Sequence, residues 1–300
     1  MVDFETVTLR DPSSSLTASF VPAAGMVGTS LADAGAEFLG QRRGLTAYVH
    51  NGKTMGIPIL YPWANRLSAN TYEVDDTVVT LVPGAGGVRT DENGAPIHGV
   101  LAAYPGWEVS ARTDNSLTAV LDYGRDAQLL ASFPFPHLLT QHVTLAARTL
   151  TVETTVAPTS PVSVPLCFGY HPYLKIPGVP REEWTLSTPP MRHLPVDDKG
   201  IPTGAHEPWP GGAEQLKTTA YDDGFDRVPA GAVFTLAAGE RRIGVTFGSG
   251  YPAAQLFAPT DDDLMAIEPM AAPTDALRRG GYRKAAAGRP ETARFSITVV

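Results

Sequence analysis

Six residues in this chain are of types that could hold a hydroxylated substrate and move protons on it. His171 stands in Cys167-Phe168-Gly169-Tyr170-His171-Pro172-Tyr173-Leu174, between aromatics and directly before a proline. A residue preceding proline is pushed out of the helical region, so the histidine backbone is predicted to be extended or in a turn. Its ring, with an unperturbed pKa of about 6.5, can give and take protons near neutrality. Glu268, in Ile267-Glu268-Pro269, supplies a carboxylate in a similar setting. Asn65-Arg66 after Trp63, His98 in Pro96-Ile97-His98-Gly99-Val100, and Asp222 in Tyr221-Asp222-Asp223-Gly224-Phe225 share that context: a polar residue at the edge of an apolar run, beside Gly, Pro or an aromatic. A carboxylate and an imidazole facing each other across a pocket can move two protons in opposite senses. His171 is therefore the candidate acid and Glu268 the candidate base, with Asn65, Arg66, His98 and Asp222 as a ring of hydrogen-bonding groups. Trp63, Tyr170, Tyr173 and Phe225 are candidates for an apolar floor, although each taken alone reads more readily as core filling.

The elements that must position these residues read as short strands. The chain has 300 residues, 43% of them hydrophobic, with 29 Gly and 27 Pro spread along it, so turns are frequent and long helices are not expected. Leu16 to Phe20 alternates and runs into a turn at Gly25. Tyr72 to Leu81 and Trp107 to Leu121 read as hairpins turning at Asp75-Asp76 and Asp114-Asn115. Leu139 to Leu145 and Leu150 to Val156 are the clearest antiparallel pair, with His142 on the outward, polar face. Pro189 to Trp209 reads as a long surface excursion carrying His193 and His206 as solvated loop histidines. Strands resume at Val233 to Leu236, Ile243 to Phe247, Leu264 to Ile267 and Phe295 to Val299, and only Asp275 to Arg279 has a claim to helix. With no fixed-period repeat and no linker, residues 1–300 are expected to form one all-β domain, a large antiparallel β-sandwich.

Composition excludes several function classes. A net charge of −8 without a basic block argues against a nucleic-acid partner. One cysteine, Cys167, leaves no intramolecular disulfide and no multi-cysteine metal site, which fits a reducing, cytoplasmic setting. The acidic start Met1 to Thr6 lacks the basic and apolar regions of a secretory signal, and no apolar run reaches the ~18 residues of a membrane helix. There is no phosphate loop, dinucleotide fingerprint, nucleophile elbow or metalloprotease helix. Asp261-Asp262-Asp263 reads as a solvated turn rather than a cation site. No metal and no cofactor are expected.

Taken together, Asn65-Arg66-Leu67, Ile97-His98-Gly99, Gly169-Tyr170-His171-Pro172-Tyr173, Asp222 three residues before Phe225, and Glu268-Pro269 followed by Asp275-Ala276 resemble the aldose 1-epimerases, or galactose mutarotases. The resemblance spans Pro22 to Ala276. It implies a galactose mutarotase-like supersandwich that interconverts sugar anomers, with His171 protonating the ring oxygen and Glu268 taking the anomeric hydroxyl proton. By the same resemblance Arg66, His98 and Asp222, supported by Asn65, hold sugar hydroxyls. Val100 replaces a second glycine common in the family, and Asp223 stands where histidine is frequent. The expected partner is a small sugar, bound by a monomer or homodimer with no nucleic acid or membrane. Three alternatives stand beside this reading: a hexose-6-phosphate 1-epimerase, with Arg42, Arg43 and Arg66 as possible anion contacts; a non-catalytic carbohydrate-binding sandwich; and a glycosidase using Asp222 with Glu268.

Overall fold

Period-two alternation is sharpest where the sequence predicts it, and those strands build the larger of two facing sheets. The structure, a computed structural model, describes residues 4–300. Along His137–Ala146 every second side chain is buried, and the strand pairs antiparallel with Thr149–Pro158 over its whole length. The turn between them, Ala147-Arg148, has positive φ at both residues, a two-residue geometry normally given to Asn or Gly. Here the buried carboxylate of Asp11 holds it, accepting from the backbone N–H of Ala147 at 3.2 Å and of Arg148 at 2.6 Å. Burial opposes the charge on Asp11, but hydrogen bonds from Ser14, Ser13 and Arg148 outweigh it and keep the carboxyl well below its ordinary range.

The nine-stranded sheet runs in the order Gly212–Gln215, Thr185–Thr188, Ala232–Ala238, Arg241–Phe247, Glu291–Val299, Thr149–Pro158, His137–Ala146, Ser116–Asp122, Glu108–Arg112. Against it packs an eight-stranded sheet: Glu207–Trp209, Met191–Leu194, Tyr221–Asp226, Ala253–Ala258, Met265–Met270, Gly169–Tyr170 and Ile59–Leu60, with Tyr173–Leu174 also pairing onto Met265–Met270. All strand pairs in these sheets are antiparallel. The two layers interlock through side chains: the Tyr170 ring lies 4.9 Å from that of Phe295, and its hydroxyl is 2.7 Å from Thr154 Oγ1. One apolar cluster extends from Val7 to Val299. A third sheet of four strands, Val7–Arg10 to Ala36–Glu37, closes one end.

The stretch from Pro189 to Trp209 departs from expectation. Met191–Leu194 and Glu207–Trp209 are paired strands, leaving only the turn-rich segment between them as an excursion. Proline hid the second strand, but Glu207–Trp209 is a sheet edge, where the missing N–H of Pro208 removes no needed ladder bond. Two short helices, Gly44–Asn51 and Ala127–Ser132, have no counterpart in the sequence reading; Asp126 caps the latter by accepting from the N–H of Gln128 and Leu129. Ala276–Arg279 is helical as expected. Among the described residues no helix is long and apolar enough to cross a membrane.

Candidate active site

Strand register brings His171 and Glu268 together. Gly169 pairs with Met270 and Tyr173 with Ala266, so His171, midway between, falls opposite Glu268. Pro172 has no N–H and breaks the ladder there, dividing it into the short strands Gly169–Tyr170 and Tyr173–Leu174. His171 Nε2 stands 3.1 Å from Glu268 Oε1, and the two residues are 5% and 1% exposed. Tyr173 stacks on the His171 ring at 4.2 Å. On the next strand Gln255 pairs with Glu268, and its Nε2 donates to Asp222 Oδ1 at 2.7 Å.

A second wall is made where residues 61–67 zip against residues 96–101. Leu67 N–H donates to Pro96 O, His98 N–H to Asn65 O, and Val100 N–H to Tyr61 O. Asn65 and His98 both have positive φ, 55° and 62°. The residue after His98 can only be glycine: Gly99 has φ 67°, and a Cβ there would lie 2.0 Å from Tyr61 O. The Arg66 Nε donates to Asp91 Oδ2 at 2.8 Å and its Nη1 to Asn65 Oδ1 at 3.3 Å, with Asp222 Oδ2 3.9 Å away. Asp275 fastens this wall from behind, accepting from Ser68 N–H and Oγ–H at 2.8 Å each.

The walls enclose a cavity of about 660 Å³ lined by Asn65, Arg66, His98, His171, Asp222 and Glu268, within the roughly 300–1,000 Å³ of small-molecule sites. Burial, helped by the His98 ring and the Arg42 charge, holds His171 well below the usual histidine range. Burial, with the Asp222 charge, lifts Glu268 well above the usual carboxylate range, while Arg66 works in the opposite direction. His98 is pushed down to about 3 by burial and by Arg66 and Arg89. Three buried atoms of these residues, His171 Nδ1, His98 Nδ1 and Glu268 Oε2, have no hydrogen-bond partner among the described residues. Such atoms are costly to bury unless a ligand completes them. The arrangement can deliver a proton and remove one within a single small pocket.

Residues 5–286 match the aldose 1-epimerase family. The chain belongs to that family. Among solved structures, a protein from Synechocystis sp. PCC 6803 is similar at 24% identity, with 99% of this chain and 96% of that one covered and a TM-score of 0.81. A putative aldose 1-epimerase from Escherichia coli matches at 19% identity, 99% coverage of both chains and a TM-score of 0.73. A galactose mutarotase-like protein from Clostridium acetobutylicum matches at 15% identity, 99% coverage of both and a TM-score of 0.83. At these identities the likeness shows the shared galactose mutarotase-like β-sandwich. No curated protein matches the chain significantly.

In this member of the aldose 1-epimerase family, all six residues singled out in the sequence line one cavity. The aromatic floor does not follow the sequence reading. Of the four candidates only Tyr173 lines the cavity; Trp63 and Tyr170 are buried in the core, and Phe225 packs against His193 and Trp209. Phe257 takes the place they were expected to fill, 5.8 Å from the His171 ring. His193 is not a solvated loop residue: it lies on Met191–Leu194 with Nε2 3.0 Å from Asp223 Oδ1 and Nδ1 3.3 Å from Glu207 Oε2. Asp223 is thus turned away from the cavity by strand alternation while Asp222 faces it. His206 is exposed as expected, and half-buried His142 bonds Thr118 Oγ1 at 2.8 Å. Among the described residues no group of three or more His, Cys, Asp or Glu is placed to hold a metal ion. The sequence reading missed Asp91, Gln255 and Lys53. Gln255 carries no local signal, but Asp91 heads an Asp-Glu-Asn-Gly turn directly upstream of His98, a pattern that fixes the aspartate's position.

Proposed function

We propose that the protein is an aldose 1-epimerase that interconverts the α and β anomers of a free aldohexose, with His171 as acid and Glu268 as base. The observation that carries this reading is the 3.1 Å approach of His171 Nε2 to Glu268 Oε1 inside a cavity ringed by hydroxyl-binding groups. Glu268 takes the proton of the anomeric hydroxyl while His171 gives one to the ring oxygen, and the C1–O5 bond breaks to leave an open-chain aldehyde. The C1–C2 bond rotates, O5 attacks the other carbonyl face, and both protons return. Arg66, His98 and Asp222, with Asn65 in support, orient the sugar, while Tyr173 and Phe257 cover its apolar faces. We place this activity in a cytoplasmic monomer or homodimer formed by residues 1–300 as one domain, needing no cofactor and no nucleic-acid or membrane partner.

A second reading, a hexose-6-phosphate 1-epimerase, is favoured by one observation. Arg42, Arg43, Lys53, Arg66 and Arg89 all line the cavity, on a chain whose net charge is −8. NMR of freshly dissolved α-glucose, α-galactose and α-glucose-6-phosphate, with and without the protein, tests both readings. Faster anomerisation of the free hexoses supports the first. Acceleration confined to the phosphorylated sugar, and lost in Arg43→Ala, supports the second. Binding of a hexose without acceleration of any would make the protein a sugar-binding sandwich instead.

A further inference from the structure

Arg66 sits between two turns of the same build that are far apart in the chain. Asp91-Glu92-Asn93-Gly94-Ala95-Pro96 and Asp197-Asp198-Lys199-Gly200-Ile201-Pro202 share the pattern Asp-x-x-Gly-x-Pro. In each, the aspartate Oδ1 accepts two backbone N–H groups at 2.9 Å, from Asn93 and Ala95 in the first turn and from Lys199 and Ile201 in the second. Each turn also closes through its own main chain. Gly94 N–H donates to Asp91 O at 3.1 Å and Gly200 N–H to Asp197 O at 3.0 Å, and Thr90 bridges Pro96 as Val196 bridges Pro202. The glycines have matching φ values, 80° and 73°. Turns so closed on themselves are rigid supports.

The two turns grip Arg66 differently. The first offers a charge at the edge of the guanidinium, through Asp91 Oδ2. The second offers a surface with no side chain: a Cβ on Gly200 would lie 3.0 Å from Arg66 Nη1, 3.1 Å from Cζ and 3.3 Å from Nε. A Cβ on Gly94 would meet nothing within 4 Å, so the close approach of bare backbone to the guanidinium belongs to the second turn alone.

We propose that Gly200 is a positioning residue for the sugar site: its bare backbone lets the Asp197–Pro202 turn close over Arg66 and fix the guanidinium where it meets substrate. The proposal rests on the sugar-site reading for its kinetic consequence but not for its geometry. A Cβ at position 200 is too close to the guanidinium by a few tenths of an ångström, so the guanidinium shifts or the turn lifts by that much, and in this proposal either movement changes how Arg66 meets a sugar.

Three variants separate contact from backbone strain. Gly200→Ala adds a Cβ at a left-handed position. Gly200→Asn adds the same Cβ but tolerates that backbone conformation better. Gly204→Ala lies in the same excursion, with φ 93° and nothing within 4 Å. Both Gly200 variants are expected to raise KM for glucose by about tenfold while changing kcat much less, and Gly204→Ala to match the unmodified protein. The Arg66 Nε–H resonance, assigned by its loss in Arg66→Lys, should move in both Gly200 variants and stay in place in Gly204→Ala. Recovery of the normal KM and resonance in Gly200→Asn would reduce Gly200 to a turn residue and overturn the proposal. An unmodified protein that accelerates anomerisation of no sugar would overturn the sugar-site reading, and the Arg66 resonance would still decide whether Gly200 positions the guanidinium.

Discussion

His171 Nε2 lies 3.1 Å from Glu268 Oε1 in the interior, and burial pushes the two groups in opposite directions, the imidazole towards neutrality and the carboxyl towards its protonated form. Shifts in these directions suit a pair that shares one proton, and its titration belongs to both residues together. That proton count is what the proposed ring opening needs. In that proposal the arrangement before opening is imidazolium with carboxylate, and after it imidazole with carboxylic acid. In the proposed reaction the low-dielectric site favours the neutral arrangement reached on opening and disfavours the imidazolium–carboxylate arrangement from which opening starts, and Arg66, which favours the carboxylate, offsets part of that cost.

Replacing either member should remove chemistry more than binding. Glu268→Gln keeps a hydrogen-bonding group of nearly the same shape, and loss of one general acid or base is worth about 10²–10⁴ in rate. Turnover should fall on that scale with a much smaller change in glucose affinity, and His171→Asn should behave alike. A folded Glu268→Gln protein that anomerises glucose at the normal rate would remove Glu268 from the mechanism.

The pH profile follows from the shared proton. On the acid side activity is lost when His171 accepts a second proton, and its lowered affinity places that limb below the ordinary histidine value of 6.5. On the alkaline side activity is lost when Glu268 releases the pair's last proton, above its ordinary value of 4.5. The result is a bell whose acid limb belongs to the histidine and whose alkaline limb belongs to the carboxyl. An acid limb centred at or above the ordinary histidine value, after correction for spontaneous anomerisation, would contradict this protonation scheme.

The residues of the site were legible because each stands beside Gly, Pro or an aromatic at the edge of an apolar run, and the structure shows why some of those neighbours are required. Gly99 must follow His98 where a Cβ would strike Tyr61 O, and Pro172 must interrupt the ladder beside His171. What the sequence left open was decided by pairing between distant strands. Trp63 adjoins Asn65 in the chain yet belongs to the core, whereas Phe257 reaches His171 only because Ala253–Ala258 pairs with Met265–Met270. Strand alternation likewise chose between Asp222 and Asp223, and paired His193 with a carboxylate where composition suggested open loop.

Acid should destabilise the fold. His98 is lowered to about 3 and His137 to about 4, mainly by burial, and His171 also lies well below 6.5. Since the unfolded chain takes up protons that the folded one refuses, the stability these groups contribute is complete above 6.5 and falls as pH drops towards their folded values. Each histidine contributes a slope of about 1.4 kcal/mol per pH unit. Glu268, raised in the fold, opposes them, because its contribution is complete below 4.5 and lost as pH rises. The histidines outnumber it, so urea unfolding should show lower stability at pH 5 than at pH 7. His137→Gln can still bond Tyr61 OH, which lies 2.6 Å from His137 Nε2, and should flatten that dependence; an unchanged slope would exclude His137 as a contributor.

Asp91 offers the sharpest test of how the cavity-lining Arg66 is held. Its Oδ1 builds the turn and its Oδ2 takes Arg66 Nε, while hydrogen bonds from Arg66, Ala95 and Asn93 outweigh burial to keep the carboxyl below its ordinary range. The two jobs separate by substitution. Asn at this position retains an oxygen for the Asn93 and Ala95 N–H groups but turns an amide donor towards the guanidinium, so the turn survives and the ion pair does not. Asp91→Ala loses both. Breaking a hydrogen-bonded charge in a partly buried site costs about 1–3 kcal/mol, and Arg66 then swings towards Asp222 and Glu92, which lie 3.9 and 4.0 Å away. Both variants should therefore raise KM for glucose by about ten- to a hundredfold, with Asp91→Ala the less stable of the two in urea unfolding. If Asp91→Asn binds and turns over glucose normally, Arg66 is not positioned by its edge contact, and the face against Gly200 with Asn65 alone must hold it.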